Sequence, residues 1–155
     1  MSRHERGFTL LELMIVIVLI GVLVGMVSFA SGMNPAQQAR QEAGALAGLI
    51  RQLREQAVLE GREYGVRLSA DGYRAMRLEP RGWESVMAFY RWPRDLRLRF
   101  KHDGYSVTLG ADEGLPQLLM LSSDETSTFS LTFESRGRSW LSLSGDGIGE
   151  VVIDG

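Results

Sequence analysis

Apolar residues are spread very unevenly along the chain. Between Phe8 and Met33 the only charged residue is Glu12, and residues 13–27 (LMIVIVLIGVLVGMV) include no polar side chain. As a helix, the 23 residues 8–30 extend about 35 Å at roughly 1.5 Å per residue, enough to cross the hydrocarbon core of a bilayer with some tilt. A helix buried in a globular core seldom stays apolar around its whole circumference for four turns, so the pattern predicts a membrane-spanning segment. Residues 31–35 (SGMNP) break it, because Pro35 disfavours helical backbone at Asn34. Over 36–61 the period changes. Ala39, Ala43, Leu46, Ile50, Leu53 and Ala57 step by four and three along one face, while Arg40, Gln41, Arg51, Gln52 and Glu55 fall off it. That predicts an amphipathic helix closed by Gly61 as its C-cap. Gly44 and Gly48 weaken it, and have two readings: close packing against a neighbouring helix, or a plain solvent or sheet-facing position.

From residue 62 to 155 the signals are those of strands. Alternating segments 63–69 and 73–79 flank Ala70-Asp71-Gly72, and 96–102 and 105–109 flank Asp103-Gly104; Asp-Gly between such segments is a strong hairpin signal. Further strands are expected at 86–91, 118–121, 129–134, 140–143 and 151–153, with mobile loops at 110–116 and 144–149. The fold class expected is α+β: a long N-terminal hydrophobic helix, continuing into an amphipathic helix packed on C-terminal antiparallel β-sheets.

Composition enters only as an average over these unlike parts. With 155 residues, 45% hydrophobic, 23% charged and a mean hydropathy of -0.04, the chain has the statistics of an ordinary soluble domain. The absence of Cys removes disulfides, thiol nucleophiles and cysteine metal sites, and two His are too few for a histidine cluster. Arg3 and Arg6 precede the apolar run and no basic residue follows until Arg40, which places the N-terminus in the cytoplasm and the rest across the membrane. An ordinary secretory signal is the competing reading, since Ser28-Phe29-Ala30 before Ser31 has the small-x-small form of a cleavage site. Glu12 argues against it. A carboxylate at the edge of hydrocarbon needs a partner, and cleavage between Gly7 and Phe8 supplies one. The new α-amine and Glu12 then stand four residues apart on one helix face, within reach of each other or of a neighbouring copy.

Arg6-Gly7-Phe8-Thr9-Leu10-Leu11-Glu12-Leu13, followed by the apolar run, resembles the class III signal of type IV pilins and type II secretion pseudopilins. The resemblance implies that residues 1–7 form a leader removed by a prepilin peptidase, that Phe8 becomes the N-methylated N-terminus, and that Glu12 is the assembly carboxylate. Residues 51–68, Tyr73 and 116–133 are further similar to H-type minor pseudopilins. There a late segment close to S-S-G-E-x-T-P-F is matched by Ser122, Ser123, Glu125 and Phe129, while Asp124, Ser127 and Thr128 depart. What this implies is a structural subunit near the tip of an inner-membrane-anchored periplasmic filament, assembled with other major and minor pseudopilins. It would support export of folded proteins and have no cofactor and no turnover of its own. The alternative within the same resemblance is a type IV minor pilin serving pilus assembly, adhesion or DNA uptake.

Candidate chemistry elsewhere is thin. Ser122-Ser123-Asp124-Glu125 reads as a capped, solvated loop rather than a nucleophile or cation site, and Asp112-Glu113 is too sparse for calcium. The glycines at 145, 147 and 149 precede no helix, so they make no phosphate loop. Arg91, Arg94, Arg97, Arg99 and Lys101 form a basic cluster. Arg97, Arg99 and Lys101 alternate with Leu96, Leu98 and Phe100 on one outward strand face, a solvated surface or a contact for nucleic-acid phosphates, the latter disfavoured by the net charge of -2.

Overall fold

The computed structural model describes residues 9–29 and 34–155, without the side chains of 24–29. The expected leader, the Gly7–Phe8 junction, Ala30 and residues 31–33 lie outside them. The chain divides into two compact units at Met33/Asn34.

In the first unit, helix α1 covers Leu10–Phe29. Thr9 starts it: its carbonyl accepts the Leu13 N–H at 3.2 Å and its hydroxyl the Glu12 N–H at 3.3 Å. Thr9-x-x-Glu12 has the spacing of a capping box, and the carboxylate sits in the first turn, where the helix dipole favours negative charge. The large apolar side chains from Leu10 to Leu23 are all exposed, from 42% at Val16 to 79% at Leu10. Among the described residues no helix is long and apolar enough to cross a membrane. Side chains in α1 are described only to Leu23, and the expected span 8–30 runs beyond them at both ends.

The second unit opens with α2, Pro35–Glu60. Asn34 caps it, accepting the Ala36 N–H at 3.1 Å, and Pro35 fills a first-turn position that needs no donor. At the other end Gly61 turns left-handed (φ 63°) and its N–H closes on the Ala57 carbonyl. The stripe from Ala39 to Ala57 is buried, joined by Ala47 and by one charged residue, Glu42.

Ten strands follow. Strands β1 (Tyr64–Leu68), β2 (Gly72–Glu79), β3 (Gly82–Ser85), β4 (Tyr90–Arg91) and β7 (Leu118–Met120) make one antiparallel sheet, ordered β3-β2-β1-β7, with β4 also on β2. Strands β5 (Leu96–His102), β6 (Tyr105–Val107), β8 (Thr128–Ser135), β9 (Arg138–Asp146) and β10 (Val152–Asp154) make the other, ordered β10-β9-β8-β5-β6. Helix α2 contacts both sheets. The core is Leu46 and Ile50 from the helix, Val66, Leu68, Leu118 and Met120 from one sheet, and Phe100, Leu131, Phe133 and Leu143 from the other. All buried apolar side chains among the described residues lie between Ala39 and Leu143, so this unit holds a complete core of its own.

Several local expectations are corrected. Only Tyr90–Arg91 of the expected strand 86–91 is extended, whereas β3, which alternation did not reveal, pairs along Met76–Glu79. An edge strand with one aromatic, Trp83, and no buried residue carries no period-2 signal. The β8–β9 turn is Arg136-Gly137, both at positive φ (54° and 73°), and β9 runs on through Asp146 into the stretch expected to be a loop. Asp103-Gly104, at φ 48° and 82°, is the mirror-image turn that the sequence signals. Gly72 is needed for a different reason: an added Cβ would run into the Tyr90 carbonyl as β4 crosses.

Gly44 and Gly48 are exposed, and a Cβ at either would meet nothing within 4 Å. Packing against the domain's own sheets is therefore not their reason. Gly44→Ala and Gly48→Ala should each stabilise residues 34–155 by about 1 kcal/mol in chemical denaturation; a loss of stability would show that the helix needs glycine for itself.

Candidate functional site

Three groups of side chains carry the candidate chemistry: the start of α1, the basic strand, and the polar ties that hold loops to α2 and the sheets. Glu12 is the one charge of the apolar helix, exposed on its first turn among leucines at 10, 11 and 13. Its expected counterpart at Phe8, with the cleavage site at Gly7, lies outside the described residues.

Arg97, Arg99 and Lys101 are all exposed on β5, alternating with buried or half-buried Leu96, Leu98 and Phe100. Cross-strand pairing divides them. Arg99 is bonded to Glu134 of β8, which also accepts the Ser139 hydroxyl at 3.0 Å, and Lys101 faces Ser130. Arg97 stands opposite Glu134, which Arg99 already holds. Arg91 and Arg94 gather with Arg97 at the start of the strand, around a separate concavity.

The strongest polar tie is one the sequence did not signal. Arg54, off the apolar stripe of α2, donates from Nε to Asp124 at 2.6 Å and from its two terminal nitrogens to the carbonyls of Gly149 and Ile148, both at 2.7 Å. One guanidinium therefore fixes the β7–β8 turn and the β9–β10 loop to the helix, beside an apolar groove of about 550 Å³ that includes Ile50, Val58 and Ile148. Asp124 has φ 71°, in the left-handed region. Such a backbone suits the glycine of the pattern that residues 122–129 resemble; the aspartate here brings a carboxylate for Arg54. Within the same turn Ser122 donates to Glu63 at 3.1 Å, a structural bond and not the setting of a nucleophile. Among the described residues no group of three His, Cys, Asp or Glu side chains is placed to hold a metal ion.

Glu42 is the second unsignalled residue. It is 9% exposed and accepts the Tyr90 hydroxyl at 2.9 Å through one oxygen; the other has no partner among the described residues. Tyr90 packs with Tyr73 and Trp92, at ring-centre distances of 5.1 and 6.2 Å. Burial, then the neighbouring Tyr90 and Glu42, push the Tyr73 hydroxyl up to about 12. This cluster anchors β4 to the first half of α2.

The loop expected to be mobile at 110–116 is tied down. Asp112 accepts from Arg67 Nε and Arg74 Nε, each at 2.8 Å, and Arg67 also reaches the Gly114 carbonyl at 2.9 Å. Hydrogen bonds from Arg74 and then Arg67 hold the Asp112 carboxyl below its ordinary value. A folded-state value below the unfolded one contributes stability that is complete above the unfolded range, near pH 4, and fades as pH falls through the folded value. Asp112→Asn should thus lower stability by about 1 kcal/mol at pH 7 and by progressively less below pH 4. Thermal melts from pH 7 to pH 3 check this, and a pH-independent difference would contradict it.

Comparison with known proteins gives a consistent result. Residues 2–28 match the prokaryotic N-terminal methylation motif, and residues 42–149 match the family described as type II transport protein GspH. The chain is 41% identical to type II secretion system protein H of Pseudomonas aeruginosa, covering 94% of this chain and 93% of that protein. It is 26% identical to the protein of the same name from Aeromonas hydrophila, over 85% and 82%. The fold is similar to the crystal structure of the minor pseudopilin EpsH of Vibrio cholerae, with a TM-score of 0.68 over 79% of this chain and 98% of that one at 22% identity. It is likewise similar to the solution structure of Escherichia coli GspH, with a TM-score of 0.63 over 76% and 88% at 18% identity.

Proposed function

The chain belongs to the GspH family of type II transport proteins, and from that premise we propose how it serves secretion. It is a minor pseudopilin, a structural subunit of the type II secretion pseudopilus. The observation that carries the mechanism is the contrast between the two units. Residues 34–155 bury a complete core by themselves, while the large apolar side chains of α1 from Leu10 to Leu23 are all exposed. Such a helix is stable only in lipid or against other apolar helices.

The subunit begins in the inner membrane, held by the helix of residues 8–30 with its N-terminus cytoplasmic and the β-bearing unit in the periplasm. A prepilin peptidase cuts after Gly7 and methylates the amine of Phe8. Leaving the bilayer for the filament, α1 exchanges lipid for the helices of other pseudopilins. Glu12 makes that exchange selective. At a separation near 4 Å a carboxylate and an amine attract by about 4 kcal/mol at an effective dielectric of 20, comparable to the roughly 2.5–3.5 kcal/mol cost of a lone charge in the membrane centre. Pairing with a neighbour's Phe8 amine, or its own, offsets that cost. The β-bearing unit sets its place near the tip, and growth of the filament moves folded exoproteins outward. The chain has no turnover of its own.

Intact mass and N-terminal sequencing of the mature protein should give N-methylated Phe8; a chain beginning at Ser31 overturns this reading. In cells, Glu12→Ala and Gly7→Ala should each abolish type II secretion while residues 34–155 keep their melting temperature. Full secretion by both variants would sink the mechanism.

A further inference from the structure

The strands of the β-bearing unit run between two poles, and their registers sort the charges. Leu68 pairs with Tyr73, Gly72 with Arg91, and Leu96 with Ser135, so the β1–β2 turn, β4, the start of β5 and the β8–β9 turn share one pole. The first half of α2 belongs there too, through Glu42 to Tyr90 and Arg40 to the Gly155 carbonyl at 3.5 Å. Its second half reaches the other pole, where Arg54 holds Asp124 and the β9–β10 loop. The chain therefore enters this unit, at Asn34 and Pro35, at the pole described first.

At that entry pole Arg91, Arg94 and Arg97 surround an open concavity of about 440 Å³ that also takes in Trp92, Pro93 and Leu96. All three guanidinium-bearing residues are exposed. None of the three pairs with a carboxylate among the described residues, a state they share with Arg40, Arg51, Arg81, Arg136 and Arg138; what sets them apart is that they gather around one concavity. Asp71 and Asp95 are the acids beside the concavity and Asp154 lies at the same pole, while Arg136 of the adjoining turn adds a further positive charge. Exposed Asp103, Glu125, Asp146 and Glu150 lie at the far pole, with Arg81 and Lys101 as the exposed cations there that have no carboxylate partner among the described residues.

We propose that the entry pole is a binding surface for the phosphate headgroups of anionic phospholipids. Guanidinium forks match phosphate oxygens in pairs, and three exposed ones around a single concavity can take a headgroup between them. A chain of net charge -2 is repelled overall by an anionic bilayer, so attraction through one pole also orients the unit. The biological meaning rests on the membrane-anchored reading above, because a unit tethered through residue 34 is tethered at this pole. Its arginines then hold the waiting subunit against the headgroups until contacts with filament neighbours replace them.

Residues 34–155, which carry their own core, allow the lipid contact to be tested apart from the anchor. The probes are vesicles of phosphatidylglycerol mixed with phosphatidylcholine, vesicles of phosphatidylcholine alone, and a duplex DNA at equal phosphate concentration. At low salt the unit should sediment with the anionic vesicles at least about tenfold more tightly than with either other probe, since each arginine near an anionic surface contributes about fivefold. Arg94→Glu with Arg97→Glu should remove that preference. Arg94→Lys with Arg97→Lys should keep most of it, and Arg51→Glu with Arg81→Glu, the same charge change elsewhere, should alter binding by less than about threefold. Thermal melts verify that each variant is folded, and Arg94→Gln with Arg97→Gln repeats the test without new charge. Equal binding to both vesicle types, equal loss in the Arg51/Arg81 variant, or tighter binding to DNA each overturns the proposal. None of these outcomes touches the secretion mechanism, which stands or falls with Glu12 and Gly7.

Discussion

Along α2 the side chains of Ala39, Ala43, Leu46, Ile50, Leu53 and Ala57 are at most 2% exposed, and both sheets take their places from that one stripe. The stripe is narrow, with alanine at three of its six positions, so the strands approach the helix closely. Val66 and Leu118 come from one side, Leu131, Phe133 and Leu143 from the other. Large-to-small changes at such sites typically cost 2–5 kcal/mol, a large share of a domain's marginal stability. The helix is therefore the common wall of the two sheets, and the β7–β8 turn, the β9–β10 loop and β4 are each tied back to it.

The polar ties follow from this arrangement. Two sheets that meet chiefly through a helix leave long connecting loops between them, and single residues tie these to the helix or to a neighbouring strand. Arg54 secures the β7–β8 turn and the β9–β10 loop, Glu42 secures β4, and Asp112 secures the long segment between β6 and β7. Each tie joins residues far apart in sequence, 38 to 95 positions in the bonds concerned. This is why stretches with loop composition are ordered, and why Asp124 can occupy a left-handed position that favours glycine.

Two helices of one chain meet two different surroundings. In α2 the polar face is wet and the apolar face is buried against the sheets; in α1 the large apolar side chains from Leu10 to Leu23 are all exposed. The first is a folding problem solved within the molecule, the second an assembly problem that needs lipid or other subunits. Glu12 at the start of α1 and Arg91, Arg94 and Arg97 at the entry pole form no ion pair among the described residues, and the roles proposed for them lie outside the molecule.

Local sequence was enough for whatever depends on neighbours a few residues away. It determined the apolar run with its single carboxylate, the period of α2, the Gly61 cap, the Asp103-Gly104 hairpin and the family resemblance carried by residues 6–13. It did not reveal β3, the Arg136-Gly137 turn, the burial of Glu42 or the reach of Arg54. Those depend on partners distant in the chain: an edge strand is made by the strand it joins, and a charged residue is buried by the tyrosine that comes to meet it. The basic cluster shows the division most clearly. Sequence placed Arg97, Arg99 and Lys101 on one strand face, while only the tertiary fold neutralised Arg99 with Glu134 and set Arg97 with Arg91 and Arg94 around one concavity, because cross-strand register decides which charges meet.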